Sequence, residues 1–222
     1  FFRHINIQTK NSSIHHTSLS LINNNCIYLY KIMDRILKVI DDLTNDEQVK
    51  SIINSVNDNQ EKCKDWLVSE SKEYLDYFDN PKVCVAAGWY GSLANKLKLY
   101  TDEQVLSFDK DPNTKFIGTK LYDDIFFKVE SIENFDSYKN YDVVICTSCE
   151  HLKQETIDNM IEKCKDGTLL ILQSNNYKKI EDHINCHNNI KEFEDSLKLD
   201  KIMFGGTLNL DKYDRFMVIG VK

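Results

Sequence analysis

The chain has 222 residues, 41% of them hydrophobic and 28% charged, which is enough for one well-buried domain with some helical decoration and too few for two comfortable ones. A formal net charge of −7 excludes a protein that is, as a whole, an electrostatic trap for nucleic acid or an anionic membrane. Seven cysteines at irregular spacings do not read as a secreted disulfide framework and fit reduced thiols in the cytoplasm, and no run approaches the roughly 18 apolar residues of a membrane-crossing helix.

Residues 1–32 contain no Asp or Glu, are rich in Asn, Ser and His, and show no sustained periodicity. They are expected to be a disordered tail or translated upstream sequence, with Met33 the more natural start. Residues 33–80 carry two expected helices. Ile36, Leu37, Val39, Ile40 and Leu43, then Val49, Ile52, Ile53 and Val56, fall at three- and four-residue spacings, and Trp66, Leu67, Leu75 and Phe78 continue the second stripe. Asp79-Asn80-Pro81 ends it, because the residue before proline is pushed out of the helical region.

From residue 81 to 222 short apolar runs alternate with helical stretches. Val83 to Ala86 reads as a buried strand, followed by a helix from Ser92 to Leu99. A second strand covers Val105 to Phe108, with a helix near Thr114 to Tyr122, and a third strand covers Phe126 to Val129. Tyr141 to Cys146 is the fourth strand, with a helix from Gln154 to Cys164. Thr168 to Gln173 is the fifth strand, with a helix over about Tyr177 to Leu197. Lys201 to Thr207 and Arg215 to Val221 form a closing antiparallel pair. Uninterrupted apolar strands alternating with helices imply a mostly parallel sheet covered on both faces.

The first strand runs into Ala86-Ala87-Gly88-Trp89-Tyr90-Gly91 and then a helix. Glycines there let the backbone turn sharply and approach a ligand, although a plain tight turn has the same look. The second strand ends at Asp109, beside the first, where a carboxylate can accept both hydroxyl protons of a ribose. Asp111, followed by Pro112, suits a helix N-cap instead.

With these residues the chain resembles the class I S-adenosylmethionine-dependent methyltransferases over about residues 82–222. The resemblance implies an α/β fold with a Rossmann-like, doubly wound, seven-stranded sheet, mostly parallel with a C-terminal antiparallel hairpin, plus N-terminal helices. It implies S-adenosyl-L-methionine as cofactor, with Ala87, Gly88, Trp89, Gly91, Asp109, Glu130 and Ser148 as its contacts. Glu130 is expected at the adenine amino group with Ile132 over the ring face; a solvated loop glutamate is the plainer alternative. The turn departs from the family pattern in lacking a third glycine and the acidic residue often found just before it.

The loop after strand four, Cys146-Thr147-Ser148-Cys149-Glu150-His151, is an unusual polar cluster at a strand's carboxyl end. In the family this loop faces the methyl acceptor, so Glu150 or His151 is expected to serve as general base or to orient the acceptor. The plainer alternative has Thr147 and Ser148 capping the next helix while His151 packs. Cys149, Asn175, Asn176 and Tyr177 are substrate-pocket candidates, with a small buried thiol and a helix-capping turn as the alternatives. Cys146, Cys149, His151, His183, Cys186 and His187 have spacings conceivable for zinc, but Cys146 should point into the core, and no metal is expected. Arg215 either clamps an acidic substrate or is solvated or paired with Asp214. The expected activity is methyl transfer to a small molecule or protein rather than nucleic acid. An inactive Rossmann-like binding subunit and an NAD-dependent oxidoreductase are the rival readings.

Overall fold

A computed structural model describes residues 32–43 and 45–222, which fall into two compact units divided after position 44. The expectation for 1–32 therefore lies outside the described residues, apart from Ile32. The first unit holds helix α1 (32–41), where Lys38 reaches Asp34 one turn back at 2.7 Å.

The second unit begins with α2 (Asp46–Ser55) and α3 (Asp58–Leu75). Three helices thus stand where the periodicity suggests two. The break falls at Asn57, whose side chain accepts from the Gln60 N–H and starts a new helix, as Asn45 does for α2 through Glu47 N–H. Helices α2 and α3 belong to the same compact unit as the sheet that follows.

That sheet comprises β1 (Val83–Ala86), β2 (Val105–Asp109), β3 (Ile125–Val129), β4 (Val143–Cys146), β5 (Leu169–Asn175), β6 (Lys201–Asn209) and β7 (Asp214–Val221), in the order β3-β2-β1-β4-β5-β7-β6. The first five strands are parallel; β7 runs antiparallel to β5, and β6 to β7. Helices α4 (Ser92–Leu97), α5 (Pro112–Leu121), α6 (Gln154–Lys163) and α7 (Ile190–Ser196) fill the crossovers. Asp111 caps α5 as expected, accepting from Asn113 N–H with Pro112 behind it. One face of the sheet, with Cys84, Leu106, Phe108, Val144, Leu170 and Val218, packs on α6 and α7. On that face Phe108 stacks on Phe135, centroids 4.5 Å apart, and Tyr138 meets Phe135 edge-on. The alternate residues, among them Val83, Val85, Val105, Ile145 and Ile171, are also buried, which is why the strands read as continuous apolar runs.

A second difference from the sequence reading follows β5. The helix expected over Tyr177 to Leu197 is only α7; positions 176–189 form an irregular loop. Asn189 caps α7 by accepting from Glu192 N–H, and the loop's own backbone donors are taken elsewhere: Asn185 N–H by Glu150 O and His187 N–H by Asn175 O. These long-range bonds replace the local ones that a helix needs. Among the described residues no helix is long and apolar enough to cross a membrane.

Candidate active site

The chain leaves β1 toward β2 and β3 on one side and returns to β4 on the other, so a crevice opens at the carboxyl ends of β1 and β4. A cleft of about 650 Å³ lies there, within the size range of small-molecule sites. Its walls bring together the turn after β1, the ends of β2 and β3, the loop after β4, helix α3 and the 176–189 loop.

The turn after β1 is set by close packing. Ala87 (φ 50°) and Trp89 (φ 49°) are left-handed, and so is Gly91 (φ 87°), where α4 begins. At Gly88 a Cβ would lie 2.2 Å from Ser107 Oγ, and at Gly91 2.4 Å from the Phe127 ring. Glycine is therefore required at both positions by contact with β2 and β3. Gly88 N–H donates to Phe108 O, and Trp89 N–H donates to Asp109 Oδ2 at 3.3 Å, which ties the turn to the end of β2. Asp109 Oδ1 accepts from Asp111 N–H. Ser107 Oγ, under the turn, is buried without a hydrogen-bond partner. Tyr90 is buried, stacks on Trp89 and donates to Ser51 Oγ of α2.

Of the expected cofactor contacts, Ala87, Gly88, Trp89, Asp109, Glu130 and Ser148 line the cleft, as does Ile132. Gly91 does not; it is the buried residue from which α4 starts. Glu130 faces Lys128 at 3.5 Å and accepts from Ser131 N–H.

On the opposite wall Cys149–His151 form a 3-10 turn. Neither Thr147 nor Ser148 caps α6, whose N-cap is Lys153. Glu150 is buried and its Oε1 accepts from Arg215 at 2.6 Å and from Asn175 Nδ2 at 2.8 Å, while Oε2 is buried with no partner. Arg215 is itself buried, so its other donors must also be met: Nε donates to Gln173 Oε1 at 3.2 Å, and a second terminal nitrogen donates to Thr147 O. Burial weakens its charge, but the Glu150 carboxylate more than offsets this and raises the guanidinium pKa. His151 is at the cleft, with Nδ1 3.2 Å from Asp182 O. A carbonyl only accepts, so Nδ1 carries the proton and Nε2 a lone pair. Burial lowers the His151 pKa and outweighs the raising effect of Glu150, so the ring is neutral at pH 7.

The four expected substrate contacts do not line the cleft. Cys149 is fully buried, and its hydrogen bond to Cys146 and its desolvation push the thiol pKa well up, so it is no nucleophile. Asn175 is spent on Glu150. Asn176 donates to Asp214 and accepts from its N–H, and the Tyr177 ring packs tilted against Tyr213 while the Tyr177 N–H donates to Asn175 Oδ1. They hold the wall rather than form its surface. Sequence reasoning missed the contributions of Ser55, Gln60 and Lys64, which come from helices with no recognisable motif, and it left Arg215 open between a substrate clamp and a solvated or Asp214-paired side chain, whereas its partner is Glu150. Only the cost of a charged pair in an apolar run hinted that Glu150 needs a buried partner.

The architecture is that of the class I S-adenosylmethionine-dependent methyltransferases. No family model matches the sequence, and no curated protein sequence does. Among solved structures, the N-methyltransferase NodS from Bradyrhizobium japonicum WM9 in complex with S-adenosyl-L-homocysteine is similar with a TM-score of 0.60 at 13% identity, over 85% of this chain and 98% of that one. Magnesium protoporphyrin IX methyltransferase (ChlM) from Synechocystis PCC 6803 with bound SAM is similar with a TM-score of 0.53 at 18% identity, over 98% and 100%. At such identities the likeness is one of fold.

Proposed function

We propose that the chain transfers a methyl group from S-adenosylmethionine to a small molecule or protein held beside His151. The observation that carries this reading is one cleft whose opposite walls carry Gly88 and Asp109 on one side and Glu150 and His151 on the other. The first wall fits the cofactor. Gly88, held close against β2, lines the cleft where the methionine moiety would lie. Asp109 has lone pairs beyond those used by Trp89 and Asp111, and these accept the two ribose hydroxyls. Ile132 covers the adenine face, Glu130 accepts from its amino group, and Ser148 lines the same cleft. When bound, S-adenosylmethionine supplies an electrophilic methyl carbon on a sulfonium.

On the second wall His151 presents the Nε2 lone pair to the acceptor, to orient it or take its proton. Glu150 is less suited to that task, since one oxygen is held by Arg215 and Asn175. The cleft lining includes Glu130, Glu133, Glu181 and Asp182 besides Lys64 and Lys110. With the net charge of −7, that disfavours a polynucleotide acceptor.

Two measurements test this reading. S-adenosylhomocysteine should raise the melting temperature and NAD should not; the reverse result points to an oxidoreductase and removes the cofactor assignment. Labelled methyl transfer into a mixed metabolite and protein extract should occur with the wild-type chain and fall with His151→Ala. Stabilisation by S-adenosylhomocysteine without any transfer identifies an inactive binding subunit.

A further inference from the structure

The 176–189 loop brings a third group to the Glu150–His151 corner. His183 packs perpendicular to His151, ring centroids 4.6 Å apart. One ligand atom from each of Glu150, His151 and His183 can be chosen so that all three lie within 4.8 Å of one another. Cys146 and Cys149, the cysteines whose spacing with His151 suggests zinc, are buried in the core and belong to no such group.

Hydrogen bonds behind the two imidazoles orient them as metal ligands are oriented. His183 Nδ1 is 2.6 Å from Tyr177 O, and His151 Nδ1 is 3.2 Å from Asp182 O. In the neutral form both rings then carry the proton on Nδ1 and a lone pair on Nε2, with a backbone carbonyl fixing tautomer and orientation, as is usual behind metal-bound imidazoles. Glu150 supplies the independent sign. Its side chain is 5% exposed, and Oε2 is buried with no hydrogen-bond partner although Oε1 has two. An orphan carboxylate oxygen in such a place costs free energy unless something positive meets it.

We infer that Glu150, His151 and His183 form a site for a divalent first-row transition-metal ion on the acceptor wall of the cleft. Two imidazoles and one carboxylate suit Zn²⁺, Co²⁺ or Fe²⁺ and leave coordination positions open; Glu150 and His151 line the cleft, and His183 stands outside its lining. Bonds of about 2.0–2.1 Å place tetrahedral ligand atoms roughly 3.4 Å apart, so the side chains close by about an ångström on the ion. Asn185 N–H, bonded to Glu150 O at 3.0 Å, keeps the loop carrying His183 against Glu150 throughout. Glu181 and Asp182, which also line the cleft, add negative charge to it. What the ion does there rests on the methyltransferase reading, whereas its binding does not: with His151 Nε2 on the ion instead of the acceptor, the ion holds an acceptor oxygen in its place and makes that hydroxyl more acidic. The acceptor class is then a hydroxyl-bearing compound.

The test is titration of the chelator-treated full chain with Co²⁺, followed by visible absorption, together with metal analysis of the protein as purified. One Co²⁺ per chain is expected, displaced by Zn²⁺, with at least ~100-fold weaker binding for His183→Ala and for His151→Ala. No saturable Co²⁺ binding by the wild-type chain overturns the site, as does equal binding by His183→Ala. The melting shift with S-adenosylhomocysteine is measured on the same samples. A shift without Co²⁺ binding sinks the metal site alone, and Co²⁺ binding without a shift sinks the cofactor reading alone.

Discussion

Arg215 in the last strand donates to Glu150 Oε1 at 2.6 Å, and both side chains are at least nine-tenths buried. The contact joins the antiparallel end of the sheet to the loop after its fourth strand. It is possible because β5 and β7 pair with Asn175 opposite Arg215, so that Asn175 and Arg215 reach the same carboxylate oxygen. A buried pair of this kind contributes little relative to apolar residues of equal volume, but removing one partner strands the other charge.

Removing one partner should therefore be costly. Arg215→Ala is expected to destabilise the fold by about 3–5 kcal/mol, read as a lower urea midpoint. Arg215→Lys should not restore it, since an ammonium cannot reproduce the fork that reaches Glu150, Gln173 and Thr147. A midpoint unchanged in Arg215→Ala contradicts a buried pair.

The turn after β1 offers a compensating pair. Gly88→Ala places a methyl group 2.2 Å from Ser107 Oγ and should cost about 1–3 kcal/mol. Ser107→Ala alone should cost little or stabilise, because it removes a buried hydroxyl with no partner. Combined, the two should recover part of the loss, since the nearest clashing atom is gone while Val85 O and Cγ1 stay 3.2 Å from the added methyl group. Additive free energies in that double-mutant cycle contradict the packing argument.

Asp109 is expected to govern cofactor affinity. Asp109→Ala should weaken S-adenosylhomocysteine binding by about 1.5–3 kcal/mol, the range for hydrogen bonds to a charged group. The variant also loses the acceptor for Trp89 and Asp111 N–H. The ligand-induced melting shift, not the unliganded melting temperature, is thus the proper measure.

Acid stability should depend on Asp142. Burial raises its pKa, but the bonds from Lys165 at 2.6 Å and from Lys82 N–H at 2.8 Å more than reverse this, so the carboxyl titrates below its ordinary value. A lowered folded-state pKa adds stability above the unfolded pKa of about 3.9, lost as pH falls through the folded value. Asp142→Asn should therefore melt below the wild type at neutral pH, and the gap should close on acidification. A gap that stays constant into strong acid excludes the linkage.

Much of the fold was legible in local pattern. Val83-Cys84-Val85-Ala86 and Val143-Val144-Ile145-Cys146 lie at the centre of a parallel sheet covered on both faces, so neither face left a polar period to confuse them. The loop over 176–189 was not legible. Its Asn and His residues are compatible with a helix, and only bonds to Glu150 O and Asn175 O, far away in sequence, decide against one. Gln60 and Lys64 were hidden for a similar reason, since helix α3 carries no motif that marks which of its faces meets the cleft.

By itself the sequence determined the strand and helix order, the glycine turn and the acidic end of β2, because backbone conformation and burial period are short-range properties. Only the tertiary structure decided what Glu150, Arg215 and His183 are. Whether a charged residue is solvated, paired or left with one orphan oxygen depends on which strand lies beside it and in what register. The Asn175–Arg215 pairing that sets this joins residues far apart in the chain. The glycine turn needed only its neighbours to be read, and the Glu150 corner needed the whole sheet.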